Sequence, residues 1–282
     1  MRLPSTKVIV FNAAIILAAT GAVAMAVRST LFTPSAPPCS ERYHNMTVFA
    51  LERNGAMITP AEVQAMSGGR DAGVMENVSF VRKDGPAPVA LQVRLPKEAA
   101  SPHRASAGKG GMSFPWEPNA LAGKTSACLI YHVQFPAGFD FARGGRLPGL
   151  GGGIGGAGSS DTFAAPLVWR GNGTGGAVVR TGKDGADPVL VLDRRDTTFA
   201  KGRWIRLEQE VVLNAPKKSD GIVRVWVDGT LVAERTDVAF RSKAETSLST
   251  VLADVHYGSA EATGGAAKDA SMWLSPLEVR WQ

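Results

Sequence analysis

An all-β sandwich is the fold class this sequence predicts, and three observations predict it. Strand-like runs separated by Gly, Pro and Asp recur from Val89 to Trp281, helical periodicity is almost absent after Ser67, and several runs alternate between an apolar and a polar face. With 282 residues, 32 glycines, 17 prolines and 20% charged residues, the chain is long enough for one sizeable domain with an N-terminal appendage.

The appendage comes first. Arg2 and Lys7 precede Val8 to Val27, an apolar run of about 20 residues broken by Asn12, Thr20 and Gly21, with Arg28 after it. Such a segment directs a chain into an export route as an uncleaved signal anchor. The alternative is a signal peptide cut after a small-residue site at Ala22 to Ala24 or Ala24 to Ala26. Residues 1–28 are therefore expected as one hydrophobic helix. The domain behind it faces the periplasm from the inner membrane, or is periplasmic or secreted if the signal is cut. Cys39, in Pro-Pro-Cys-Ser, lacks the residues a lipidation site would place before it.

Ser29 to Pro38 carries three prolines and reads as an extended, disordered spacer. We draw this linker over 29–45 and the domain over 46–282. Thr59 to Ser67 predicts one short helix with Thr59 as N-cap and Pro60 in the first position. Strands are expected over Val89 to Leu95, Ala127 to Phe135, Phe163 to Arg170, Ala177 to Arg180, Pro188 to Leu192, Trp204 to Leu213, Ile222 to Val227, Thr230 to Arg235, Leu248 to His256 and Met272 to Trp281. In Trp204 to Leu213 the residues Ile205, Leu207, Gln209, Val211 and Leu213 make one mostly apolar face. Val223, Val225 and Val227 do the same in the next run. Asp228-Gly229, between Ile222 to Val227 and Thr230 to Arg235, is a two-residue hairpin signal. No internal repeat is present.

The stretch Ala127 to Gly153 is the architectural centre. From Cys128 to Phe135, Leu129, Tyr131, Val133 and Phe135 share one face, and Cys128, Ile130, His132 and Gln134 the other. Pro136 and Gly138 then turn the chain, with Phe139 and Phe141 returning it to the core. Arg143 and Arg146 follow among Gly144, Gly145, Gly149 and Gly151 to Gly153, which we read as a loop too glycine-rich to pack. There the backbone can approach a ligand closely and two guanidinium groups offer forks to an anion.

The net charge of +6 favours acidic partners in a general way, but the 31 basic residues are scattered. Neither a basic helix nor a Lys/Arg run with aromatics between is found, so nucleic acid is not an expected partner. Gly149 to Gly158 is not followed by Lys-Ser/Thr and lacks a βαβ setting, so it is not read as a phosphate loop. The two cysteines, Cys39 and Cys128, either close one disulfide in an oxidising space or stay separate thiols with Cys128 as a buried small hydrophobe. Neither they nor His44, His103, His132 and His256 show metal-ligand spacing, and no cofactor or metal is expected.

Tyr131-x-Val133-x-Phe135-Pro136, Gly138-Phe139-Asp140 and Gly144-Gly145-Arg146-Leu147-Pro148-Gly149-Leu150 resemble polysaccharide lyase family 14. Trp169-Arg170, Gly202-Arg203-Trp204, Val212-Leu213-Asn214, Asp220-Gly221 and Val225 to Gly229 extend the resemblance over roughly Leu91 to Trp281. It implies a β-jelly-roll sandwich of two antiparallel sheets that acts on an acidic polysaccharide of the alginate or glucuronan kind by β-elimination. It also implies Arg146, Arg170, Trp169 and Arg143 as substrate-binding residues, with His132, His256 and Tyr257 handling protons. The pattern departs at three places. The family's Lys in GG-K-L-P-G-L is Arg146, which binds a carboxylate but cannot act as a base. Its F-S-x-R is Phe163-Ala164-Ala165-Pro166, and its Y-x-Y falls in Gly176 to Arg180, where no tyrosine stands. Hence the alternatives: a carbohydrate-binding or structural module without catalysis, or a protein-binding sandwich at the cell envelope. Trp204, Trp226 and Trp273 are expected as packing anchors.

Overall fold

The computed structural model describes Thr20 and residues 35–103, 110–153, 162–182, 190–258 and 265–282, with the backbone alone over 190–197. The segment expected as an N-terminal hydrophobic helix lies outside these residues apart from Thr20. Among the described residues no helix is long and apolar enough to cross a membrane. Met1–Ala36 and Pro37–Gln282 are separate units, and the second contains every strand of the protein's described residues.

Its strands are β1 (Asn45–Phe49), β2 (Glu52–Arg53), β3 (Ala56–Met57), β4 (Val78–Arg82), β5 (Val89–Leu95), β6 (Pro115–Trp116), β7 (Ser126–Gln134), β8 (Gly145–Gly153) and β9 (Thr162–Trp169). Then come β10 (Thr174–Thr181), β11 (Leu190–Thr198), β12 (Trp204–Val212), β13 (Gly221–Val227), β14 (Thr230–Val238), β15 (Leu248–Leu252), β16 (His256–Tyr257), β17 (Ala270–Leu274) and β18 (Leu277–Trp281). A first sheet runs β14-β13-β12-β7-β17-β5-β4, with β18 on β7 and β1 on β18. A second runs β11-β10-β9-β8-β15-β6, with β16 on β8, and β2–β3 form a small ribbon. Every pair among these named strands is antiparallel.

The two sheets bury one core. Leu129, Tyr131 and Val133 of β7 and Leu207 and Val211 of β12 face Leu147 and Leu150 of β8, Ala165 and Leu167 of β9, and Val251 of β15. Alternation of apolar residues along each strand drives this, as expected of a two-layer sandwich consistent with a jelly roll. Asp228 (φ 49°) and Gly229 (φ 79°) make the hairpin turn between β13 and β14. The helix Pro60–Met66 starts at Thr59, whose hydroxyl accepts from the Glu62 amide while Glu62 reaches back to the Thr59 amide.

Three expectations change. The glycine-rich stretch is not an unpacked loop: Gly145–Gly153 is a strand inside the second sheet. Glycine is what lets its neighbours close in, since a Cβ on Gly149 would stand 2.3 Å from the Ala165 carbonyl oxygen, and one on Gly152 2.1 Å from that of Ser247. The run Leu248 to His256 breaks at 253–255, where Ala253 and Val255 donate instead to Phe114 and Met112 carbonyls. The spacer drawn to residue 45 ends at Cys39. From there Cys39 is bonded to Cys128, Ser40 donates to Glu208, and Arg42 and Tyr43 donate to Glu210. This strap lies on the outer face of the first sheet, the face carrying Cys128, Glu208 and Glu210.

Candidate functional site

Arg146 owes its position to an irregularity in β8. Pairing with β9 shifts register between Leu147 and Gly149, so Leu147 and Leu150 both reach the core while Arg146 stays on the outer face. A bulge leaves backbone groups facing the interior, and the opposite sheet meets them. The Tyr131 hydroxyl donates to the Pro148 carbonyl at 3.0 Å, and the Gln209 carboxamide, fully buried, accepts from the Leu150 amide at 2.8 Å and donates to the Ala165 carbonyl at 2.6 Å. Burial holds the Tyr131 hydroxyl well above its ordinary pKa, so it stays protonated as a donor.

Around Arg146 the outer face gathers a polar cluster. Asp254 lies 3.6 Å from the guanidinium and accepts from the Ser113 hydroxyl at 2.6 Å. His256 is the direct register partner of Arg146 across β8 and β16, and only 5% of it is exposed. Its Nδ1 sits 2.8 Å from the Tyr257 carbonyl oxygen, which can only accept, so Nδ1 carries the proton and Nε2 is left with a lone pair. Burial lowers the His256 pKa, with Arg146 and His103 adding to the effect and the Tyr257 carbonyl and Asp254 opposing it. The ring is neutral at neutral pH and presents a base beside a carboxylate-binding cation.

Arg170 and Arg143 stand at the same end of the sheet. Arg170 follows β9, half-buried, with its amide donating to the Thr174 carbonyl; Arg143, exposed, precedes β8. The Arg170–Gly173 turn passes close to Ala142, since a Cβ on Gly171 would stand 2.4 Å from its carbonyl oxygen.

The other expected residues lie elsewhere. Trp169 is 1% exposed and sits in the core against Phe135, Phe139 and Tyr257, with Nε1 donating to the Phe141 carbonyl. It cannot stack on a sugar. Tyr257, next to His256 on a two-residue strand, points to the opposite face by simple alternation. Its ring stacks on Phe139, its hydroxyl donates to the Asp140 carbonyl at 2.7 Å, and burial raises its pKa, so the His256–Tyr257 acid–base pair does not form on one face. His132 faces away from Arg146 altogether. Tyr131 points into the sandwich, so His132 lies on the outer face of the first sheet opposite Arg206, its pKa lowered by burial and by that arginine. Trp204 and Trp273 share that outer face with it, and Trp226 is fully buried under the strap beside Arg42.

Asp254 and Ser113 are site residues that sequence reasoning missed. Asp254 was legible as the one carboxylate two residues before His256, but Ser113 reaches the site only through the pairing of Met112 with Val255. Along the middle of β9 and β10 the outer face carries Ala164, Pro166, Val168, Val178 and Arg180, without hydroxyl or phenol at those positions, and the Thr162 hydroxyl at the far end of β9 donates to the Gly182 carbonyl.

Solved structures share this fold. The alginate lyase of Aplysia kurodai superposes with a TM-score of 0.64 at 23% identity, covering 78% of this chain and 94% of its own. An alginate lyase from Chlorella virus gives 0.66 at 19% identity over 84% of this chain and 100% of its own. The endo-β-1,4-glucuronan lyase of the fungus Trichoderma reesei gives 0.54 at 13% identity, covering 73% of this chain and 87% of its own. No match is found among curated proteins. The polysaccharide lyase 14 family model matches residues 84–276, which takes in every strand from β5 to β17 and the whole Arg146 cluster, and on that match the chain belongs to the polysaccharide lyase 14 family.

Proposed function

We propose that this protein binds an acidic, uronate-containing polysaccharide of the alginate or glucuronan kind on the outer face of the second sheet and cleaves it by β-elimination. The observation that carries the reading is the register pair of Arg146 and His256, a fixed cation beside a neutral imidazole with a free Nε2. Arg146, aided by Arg170, binds the uronate carboxylate and lowers the cost of carbanion character at C5. His256 Nε2 takes the C5 proton. The C4–O bond then breaks as the C4=C5 double bond forms, and the imidazolium returns the proton to the departing oxygen, so no tyrosine is needed for either transfer.

A second reading has its own support. Ala164, Pro166 and Val178 leave the face poor in proton-transfer groups, and Tyr257 is in the core, which favours a binding module without catalysis. We further propose export, with anchoring or cleavage at residues 1–28, on the strength of the Val8 to Val27 run.

One experiment separates these readings. The full chain is incubated with alginate and with glucuronan while ultraviolet absorbance of the unsaturated product is followed, and polymer retention is measured in parallel. Product that disappears in His256→Gln supports the lyase. Retention without product supports the module, and neither product nor retention removes the uronate reading.

A further inference from the structure

His256 has a second cross-strand neighbour besides Arg146. The buried segment 110–114 runs antiparallel beside Val255, with the Met112 amide donating to the Val255 carbonyl at 2.8 Å and the Val255 amide to the Met112 carbonyl at 2.9 Å. In that register Ser113 stands opposite Asp254 and Gly111 opposite His256. The approach is close: a Cβ on Gly111 would stand 2.8 Å from the His256 Cβ and 2.0 Å from the Val255 carbonyl oxygen, and its φ of 78° favours glycine as well. Arg146 and Gly111 therefore flank His256 on its two sides. Gly111 is itself held from two directions. Its amide donates to the Arg94 carbonyl at 3.0 Å, and its carbonyl accepts from the Asn77 carboxamide at 3.0 Å. Asn77, 6% exposed, ends the short helix Val74–Asn77, and Gly73 ahead of that helix comes as near, since a Cβ there would stand 2.3 Å from the Gly111 carbonyl oxygen. Without this carbonyl the buried carboxamide would lose its acceptor, so the contact ties the helix to the segment beside His256.

From this we infer that Asn77 is a positioning residue: acting through Gly111, it holds backbone against the side of His256 away from Arg146 and so keeps water from the imidazole. The use of His256 as a base rests on the lyase reading proposed above, whereas its fixing by Asn77 and Gly111 does not. The charged and titratable groups facing His256 are Arg146 on β8, Asp254 two residues before it, and His103. Neither Asn77 nor Gly111 carries charge, so replacing them with apolar residues changes packing alone. Loosening Gly111 admits water to the ring and favours its protonated form.

The full chain is labelled at histidine and the His256 titration followed by nuclear magnetic resonance, with His256→Gln assigning the signal. Wild type is expected to titrate below the ordinary value of about 6.5, and Asn77→Leu to raise the midpoint by about half a pH unit or more. Gly111→Ala, whose Cβ has no room beside His256, is expected to do the same, and it carries the comparison if Asn77→Leu does not fold. Val223→Ala, a truncation in the core on the first sheet, is expected to lower the melting temperature and leave the midpoint where it is. Where wild type forms product, the acid limb of kcat/KM is expected to move with the midpoint in Asn77→Leu. A wild-type midpoint at the ordinary value, a midpoint that stays put in the folded variants, or an equal rise in Val223→Ala overturns the inference. Absence of unsaturated product from wild type on alginate and glucuronan removes the base role instead, and the titration still decides the positioning.

Discussion

The Gln209 carboxamide crosses the sandwich to the Leu150 amide at 2.8 Å, satisfying a backbone group that the β8 bulge turns inward. The same side chain donates to the Ala165 carbonyl at 2.6 Å, so one residue of the first sheet clamps β8 and β9 of the second. Gln209→Leu keeps the volume and orphans both groups at once. Each orphan costs about 1–3 kcal/mol, so the variant is expected to lose about 2–5 kcal/mol in urea denaturation. Tyr131→Phe removes only the hydroxyl bonded to Pro148 and is expected to lose about 1–3 kcal/mol. A Gln209→Leu variant as stable as wild type would mean the bulge is held by β9 and β15 alone.

That clamp marks the limit of what periodicity could tell. Alternation placed Gln209 on the inward face and Tyr131 beside Leu129 and Val133, and both are where the pattern put them. What an inward glutamine does was not legible, because its partners are backbone groups 44 and 59 residues away in sequence. The same holds for the site. Arg146 was legible from its glycine-rich motif. Tyr257 misled because two adjacent residues on a strand cannot share a face, and His132 because the histidine face of β7 is the outer face of the first sheet, remote from Arg146 on the second. The glycine run was misread as a loop because composition does not report that two neighbouring backbones need the space.

Asp254 holds the Arg146 guanidinium at 3.6 Å and so competes with a substrate carboxylate for it. Both side chains are partly solvated, at 25% and 13% exposure, so the pair is worth no more than about 1 kcal/mol. Asp254→Asn removes the competing charge but keeps an acceptor for the Ser113 hydroxyl. Oligouronate affinity is expected to rise about two- to fivefold at low salt, with the gain shrinking as ionic strength increases. Calorimetry at two salt concentrations checks this, and weaker binding in the variant would show that Asp254 positions Arg146 more than it opposes the ligand.

The pH dependence stems from His256. Its native pKa lies below the ordinary histidine value of about 6.5, chiefly through burial, so at mildly acidic pH the unfolded chain takes up a proton that the folded protein resists. The stability contribution is present above the unfolded value and is lost as pH falls through it toward the native one. His132 shifts in the same direction, again through burial, and adds to the slope. His256→Gln is therefore expected to flatten the fall in melting temperature on the acid side, and His132→Gln to flatten it separately. Only the first is expected to abolish lyase activity, and the wild-type activity is expected to show an acid limb lying below the ordinary histidine range. An activity profile unchanged in His256→Gln would rule out the imidazole as the base.

The strap on the far face gives a prediction that leaves the site alone. The Cys39–Cys128 disulfide closes a loop with a sequence separation of 89, and both cysteines are fully buried. Cross-linking a loop of that size removes chain entropy from the unfolded state worth about 4 kcal/mol. Cys39→Ala/Cys128→Ala is expected to lose most of that in urea denaturation without reductant, and wild type unfolded in reductant to match it. Beneath the strap, burial pushes the Glu210 carboxyl up, but hydrogen bonds from Arg42, Tyr43 and Arg224 more than offset this and leave its pKa below the ordinary carboxylate value. Its stabilisation is thus present above that value and lost as pH falls through it, so the double variant, with the strap loosened, is expected to unfold at a higher pH than wild type. Oligouronate affinity is expected to stay within about twofold of wild type, because the strap packs on the outer face of the first sheet and Arg146 on that of the second. A loss of binding equal to that of Arg146→Ala would show instead that the strap and the site move together.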